Sequence, residues 1–98
     1  MSLNPTQQFA GTFVSDGVAT VLEIDLSLAP FNVDFRGNIP LAVMTPQVSS
    51  AFTGPIANVT AELAGTIVTL TFSAAPPQVD NNMNLIEYSY SFYIKFPA

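Results

Sequence analysis

The sequence predicts an all-β protein, a single antiparallel sandwich, immunoglobulin-like or jelly-roll-like, of about seven strands. Three observations carry that expectation. The stretch Leu85–Phe96 alternates without a break, with Ile86, Tyr88, Tyr90, Phe92, Ile94 and Phe96 on one side. Leu85, Glu87, Ser89, Ser91, Tyr93 and Lys95 fall on the other, because successive side chains of a strand point to opposite faces. Short alternating segments separated by Gly, Pro, Asn and Asp recur through the rest of the chain, and no segment of ten residues shows the i, i+3, i+4 spacing of a helix. Burying a large apolar side chain is worth roughly 1.5–3 kcal/mol, so the last stretch is a main source of core energy and requires an apolar layer opposite it.

In chain order, Met1–Gln8 is polar and contains Pro5, and residues 1–8 are expected to form a flexible N-terminal segment. It lacks the basic start and apolar run of a secretory signal. Phe9–Val14 is a short strand, and Ser15-Asp16-Gly17 after it reads as a hairpin turn, since Gly accepts the positive φ such turns need. Val18–Leu28 reads as a long strand with Val18, Thr20, Leu22, Ile24, Leu26 and Leu28 on one face, ended by Pro30. Phe31–Phe35 alternates again, and Arg36-Gly37-Asn38 reads as a turn. Ile39–Met44 carries Pro40, which suggests an edge strand or a strand start. Thr45–Pro55, with two prolines and a glycine, reads mostly as loop around a short strand near Val48–Phe52. Asn58–Leu63 and Thr66–Ser73 form two strands joined at Ala64-Gly65, Ala74–Asn84 is the longest loop, and the last strand follows.

Two segments echo each other at an offset of 46 residues: Thr20–Pro30, TVLEIDLSLAP, and Thr66–Pro76, TIVTLTFSAAP. Repetition of this kind marks repeated supersecondary units, and it suggests equivalent places for the two segments in the two sheets. Shared strand alternation alone is the competing explanation. Gly65–Pro77, GTIVTLTFSAAPP, resembles the short hairpins of small β-sandwich modules in bacteriophage virion and tail-fibre proteins, and the Asp-Gly segment at Phe13–Leu28 is similar in style. The resemblance covers about a third of the chain. It implies a structural or attachment role, symmetric assembly and a place in a virion, and it carries over no functional residue.

Composition narrows function more than any motif does. The chain of 98 residues is one domain by length, residues 1–98, with no Cys, His or Trp. Only 9% of residues are charged, against about 25% in an average domain, while 49% are hydrophobic, which excludes disorder. Arg36 and Lys95 are the only basic residues against seven carboxylates, so a nucleic-acid partner and a polybasic membrane contact are excluded. No apolar run approaches the length of a membrane-spanning helix, about 18 residues. So little charge on so small a domain favours a homo-oligomer that buries apolar surface between copies. Edge strands could pair across copies, and prolines 40, 46 and 55 would protect exposed edges from open-ended aggregation.

Catalysis finds little support. Without His or Cys the usual general base and thiolate nucleophile are missing, and Lys95 has no supporting motif. Glu23 and Asp25 share a strand face at a spacing a glycosidase could use, but they read first as a solvent face. Asp80-x-Asn82-x-Asn84 has the oxygen ligands that begin a calcium loop, yet Leu85 stands where glycine is expected and Ser91 where Glu is expected. A polar loop is the plainer reading, with calcium binding left open. No catalytic, cofactor-binding or metal-ligating residue is assigned, and no cofactor is expected. Asn58-Val59-Thr60 matches a glycosylation sequon without a secretory signal. Tyr93, Ile67 and Val21 are apolar residues on nominally polar faces, packed either under a loop or between subunits. The expectation is a non-catalytic, self-associating structural module. Its rival is a module that binds carbohydrate or a protein receptor through loops 45–55 and 74–84, where Phe52 is the one aromatic available.

Overall fold

A computed structural model describes residues 6–35, 39–56 and 58–97. Its strands are β1 (Thr6–Val14), β2 (Val21–Asp25), β3 (Ala42–Ser50), β4 (Gly54–Pro55), β5 (Val59–Ala64), β6 (Ile67–Phe72) and β7 (Glu87–Lys95). They form two antiparallel sheets, ordered β1-β7-β3-β4 and β2-β6-β5, that pack as a sandwich. The described residues contain no helix, and so none long and apolar enough to cross a membrane.

Strand β7 lies between β1 and β3, and its alternation becomes burial. Ile86, Tyr88, Tyr90, Phe92 and Ile94 are buried and Phe96 is half-buried, while Glu87, Ser89 and Tyr93 are exposed. The required opposite layer comes from Ile24 and Leu26 in and after β2 and from Val68, Leu70 and Phe72 of β6. Aromatic rings tie the layers together. Phe92 stacks on Phe9 of β1 at 6.0 Å, and Phe13 of β1 lies 5.2 Å from Tyr88 and 6.0 Å from Phe72 across the sandwich. Two hydroxyls then pin the start of the long loop: Ser15 Oγ donates to Pro76 O and Tyr88 OH donates to Pro77 O, each at 2.7 Å.

Several boundaries differ from those the sequence suggests. Of the flexible segment expected at 1–8, residues 1–5 lie outside the described residues and 6–8 are the start of β1, where Gln7 pairs with Ile94 and Gln8 with Tyr93, since ladder bonds are made by backbone whatever the side chain. Ser15-Asp16-Gly17 turns the chain without making a hairpin, because β1 and β2 lie in different sheets. Asp16 Oδ1 accepts from the N–H groups of Val18 and Ala19, each at 2.8 Å, with Gly17 at φ +79°, and this carries the chain across the sandwich. The long strand expected over 18–28 is only five residues, since Asp25 accepts from Ser27 N and Oγ and a turn begins there. Val18 and Leu28 are accordingly exposed.

Phe31–Phe35 keeps its alternation of burial but forms no strand, its backbone joined to the fold by the Val33 N–H donating to Leu26 O at 2.9 Å. The expected turn at 36–38 lies outside the described residues. Most of the loop expected at 45–55 is strand: β3 shifts register between Met44 and Gln47, where Thr45 has φ +50°, and then resumes pairing with β7 to Ser49. The hairpin of β5 and β6 forms as expected, with Gly65 at φ +62°.

The two echoed segments do not occupy equivalent places in the two sheets. They are adjacent strands of one sheet, β2 beside β6, and Glu23 faces its own equivalent, Thr69. Val21 faces Thr71 and Asp25 faces Ile67, so the echo runs symmetrically about that pair.

Candidate functional site

The outer face of the four-stranded sheet is the first candidate surface. Residues directly opposite in an antiparallel pair share a face, so the register places its side chains. β7 contributes Glu87, Ser89, Ser91, Tyr93 and Lys95, and β1 contributes Thr6, Gln8, Ala10, Thr12 and Val14. Met44 and Gln47 of β3 flank Tyr93 and Ser91. Charge on this face is confined to the two ends of β7, with hydroxyl, amide and apolar groups between. Tyr93 is 40% exposed and Met44 44%, so this part of the face is open to solvent.

The other sheet contrasts with it. Glu23, Thr69 and Glu62 form one row across its outer face, and Asp25, Ile67 and Ala64 form the next. Three carboxylates therefore stand on a face of three short strands. Val21 and Ile67 both belong here, away from Tyr93, so the three apolar outliers do not form one patch.

The edges differ as well. Among the described residues β1 pairs only with β7, so the backbone groups of its other edge are unpaired over nine residues that include no charge and no proline. The opposite edge is guarded: β3 carries Pro46 at its register shift, and β4, with Pro55, covers its end.

Two clefts deserve comparison with the sequence-based candidates. One, of ≈ 350 Å³, lies at the seam between β1 and β2 and is lined by Thr12, Glu23, Asp25, Phe31 and Tyr90 among others. It places two aromatic rings near the carboxylate pair, which the sequence reading missed because Tyr90 and Glu23 are far apart in the chain. Asp25 is nevertheless unsuited as a general acid. Its Oδ1 accepts from Ser27 Oγ at 2.6 Å, Ser27 N at 3.0 Å and Thr66 Oγ1 at 3.2 Å, and these bonds, led by the Ser27 hydroxyl, hold its carboxyl below the ordinary value of 3.8. A catalytic acid needs the opposite shift.

The second cleft, ≈ 450 Å³, joins the two loops singled out as a binding region. Ser49, Ser50, Ala51 and Phe52 form one wall, with Asp80, Leu85, Ile86, Glu87 and Ser89 opposite. Phe52 is 48% exposed and Leu85 64%. Asp80 does not present an open ligand set: its Oδ1 accepts from the N–H groups of Asn82 at 2.8 Å and Asn84 at 3.0 Å. The 1, 3, 5 spacing thus organises a turn that brings Val79 opposite Leu85. The described residues contain no group of three or more His, Cys, Asp or Glu placed to hold a metal. Lys95 stands at a corner of the neutral face, opposite Thr6 and Ala42, and Asn58 precedes β5 on an exposed turn.

Asp16, like Asp25, has its carboxyl held low, chiefly by the bond from the Ala19 N–H and then by that from Val18. A carboxyl lowered in the folded state stabilises the fold above its unfolded value, and that contribution is lost as pH falls through the folded value. The melting temperature should therefore fall as pH is lowered from about 4, and Asp25→Asn, which keeps the acceptor oxygen but not the charge, should fall less. Thermal melts across that interval check this; equal falls for the two chains would contradict it.

Comparison of the chain with protein-family models, curated proteins and solved structures returns no match.

Proposed function

We propose that the chain is a non-catalytic structural module that associates with copies of itself. One observation carries the reading: an outer sheet face without charge between Glu87 and Lys95 continues into an uncharged, unpaired edge strand, while the carboxylates of the other sheet stand on the opposite side of the sandwich. Such a surface loses little on dehydration of charge, and Tyr93 and Met44 offer it exposed apolar area to bury. A virion or comparable symmetric assembly is the setting to which the likeness of Gly65–Pro77 to phage hairpin modules leads.

Self-association links stability to concentration, because a partner that binds only the folded state stabilises it by mass action. The melting temperature of the chain alone, without added ligand, should rise as protein concentration is raised a hundredfold. A melting temperature independent of concentration would contradict the proposal.

The juxtaposed loops favour a second reading. Phe52 and Leu85 flank a cleft beside the carboxylates of Asp80 and Glu87, an arrangement suited to a ligand with an apolar face and polar rim, such as a sugar or a peptide. Under that reading, stability would rise with a ligand and not with protein concentration.

A further inference from the structure

We infer that two copies of the chain pair edge to edge through β1, antiparallel and centred on Ala10, joining their four-stranded sheets into one continuous eight-stranded sheet. The inference rests on the self-association proposed above and assigns it a surface, a partner and a register.

The free edges of the sandwich are not equivalent. A twofold pairing of β2 centred on its middle residue would set Glu23 against Glu23 of the second copy, and like charges directly opposite are destabilising. β5 carries Glu62 and packs beside β3. The outer edge of β3 is broken by Pro46 and its register shift, and β4 is two residues long with Pro55. Proline, irregularity, shortness and charge are the usual devices that keep an edge from pairing. β1 has none of them across Thr6–Val14, and Thr6, Gln7, Gln8, Ala10, Thr12 and Val14 are all exposed.

An antiparallel pairing centred on Ala10 uses all nine residues of β1, whereas any shift leaves part of the strand unpaired. It sets Ala10 against Ala10 and Gln8 against Thr12 of the second copy on the outer face. On the inner face it sets Phe9 against Gly11 and Gln7 against Phe13, with the Phe9 ring kept in its own core against Phe31 and Phe92. Charge also agrees. Val14 pairs with Glu87 in its own sheet and Thr6 pairs with Lys95, so each end row of the joined sheet has Glu87 from one copy and Lys95 from the other. At three strand spacings, about 14 Å, that attraction is weak, but its sign favours this pairing. The contact uses the same strand on both copies and consumes it, so it closes as a dimer and does not propagate.

Because the chain has no cysteine, a single introduced thiol reports the register. Ala10→Cys places two thiols directly opposite, at Cα separations of about 4.5–5.5 Å that a disulfide can span. Mild oxidation should convert most of the chain to a disulfide-linked dimer on a denaturing gel. Ser91→Cys, one strand further in on the same face, should stay unlinked, with its two copies about 14 Å apart. Cross-linking at 91 and not at 10, together with a dimeric solution mass, would overturn edge pairing while leaving self-association standing. A monomeric solution mass for both oxidant-free variants and the unmodified chain would overturn both. Should Ala10→Cys lose its folded circular-dichroism signal, Gln8→Cys combined with Thr12→Cys tests the same register and should give a doubly linked dimer.

Discussion

Replacing Phe92 with alanine should lower stability by about 3–5 kcal/mol, the range for truncating a buried aromatic. Its side chain is fully buried on the central strand of the larger sheet, with Phe9 at 6.0 Å on one side and Tyr90 at 5.9 Å on the other. Those rings are themselves held, Phe9 by Phe31 at 5.2 Å and Tyr90 by the main chain of β1 at Gly11, so they cannot collapse into the space without breaking other contacts. Small domains have about 5–15 kcal/mol in total, so the loss would take a large share of it. Urea unfolding of the two chains checks the figure. A loss under about 1 kcal/mol would mean that the core is not organised around β7.

Gly11→Val should destabilise by about 1–3 kcal/mol even though valine is the better strand former. Gly11 pairs with Tyr90, and the tyrosine ring lies across the place a side chain would take: a Cβ there would sit within 2.6 Å of Tyr90 Cζ. The ring is stacked almost parallel on Phe92, with 7° between the planes, and lies 6.3 Å from Phe13, so a retreat toward the seam cleft that it lines would disturb both contacts. Overpacking therefore outweighs strand propensity. Thermal unfolding should show a lower melting point for Gly11→Val, and combining it with Tyr90→Leu should recover part of the loss, as expected for two residues that share one space. A higher melting point for Gly11→Val alone would contradict the placement of the Tyr90 ring.

How far the fold can be read from the sequence depends on whether a signal is local. The alternation of β7 is local, and so is the Ala64-Gly65 turn between β5 and β6; both survive folding. Asp16-Gly17 also announces a turn correctly, but a turn does not name the partner of the strand before it. β1 is taken by β7, more than seventy residues away, because Phe9 and Phe13 stack on Phe92 and Tyr88. Pro46 hides β3, since a register shift absorbs the residue that local rules read as a break. At 31–35 the alternation is real but records burial against the core rather than pairing. The shortage of charge was visible in composition, whereas its segregation was not. Ser91, Ala10 and Gln47 form one neutral row only through pairings between distant strands. The seam cleft escaped for the same reason, since Tyr90 and Glu23 come to line one cleft only through the packing of the two sheets.

The most direct test of the account is solution mass by light scattering over a wide dilution series, on the unmodified chain and on Gln8→Lys combined with Thr12→Lys. The paired edge sets residue 8 of one copy opposite residue 12 of the other, so the double variant places lysine against lysine twice. The account predicts twice the 10.4 kDa chain mass for the unmodified protein, persisting on dilution, and a single chain mass for the variant. A single chain mass for the unmodified protein at every concentration would contradict self-association. The dimeric mass for both chains would contradict the β1 edge as its surface.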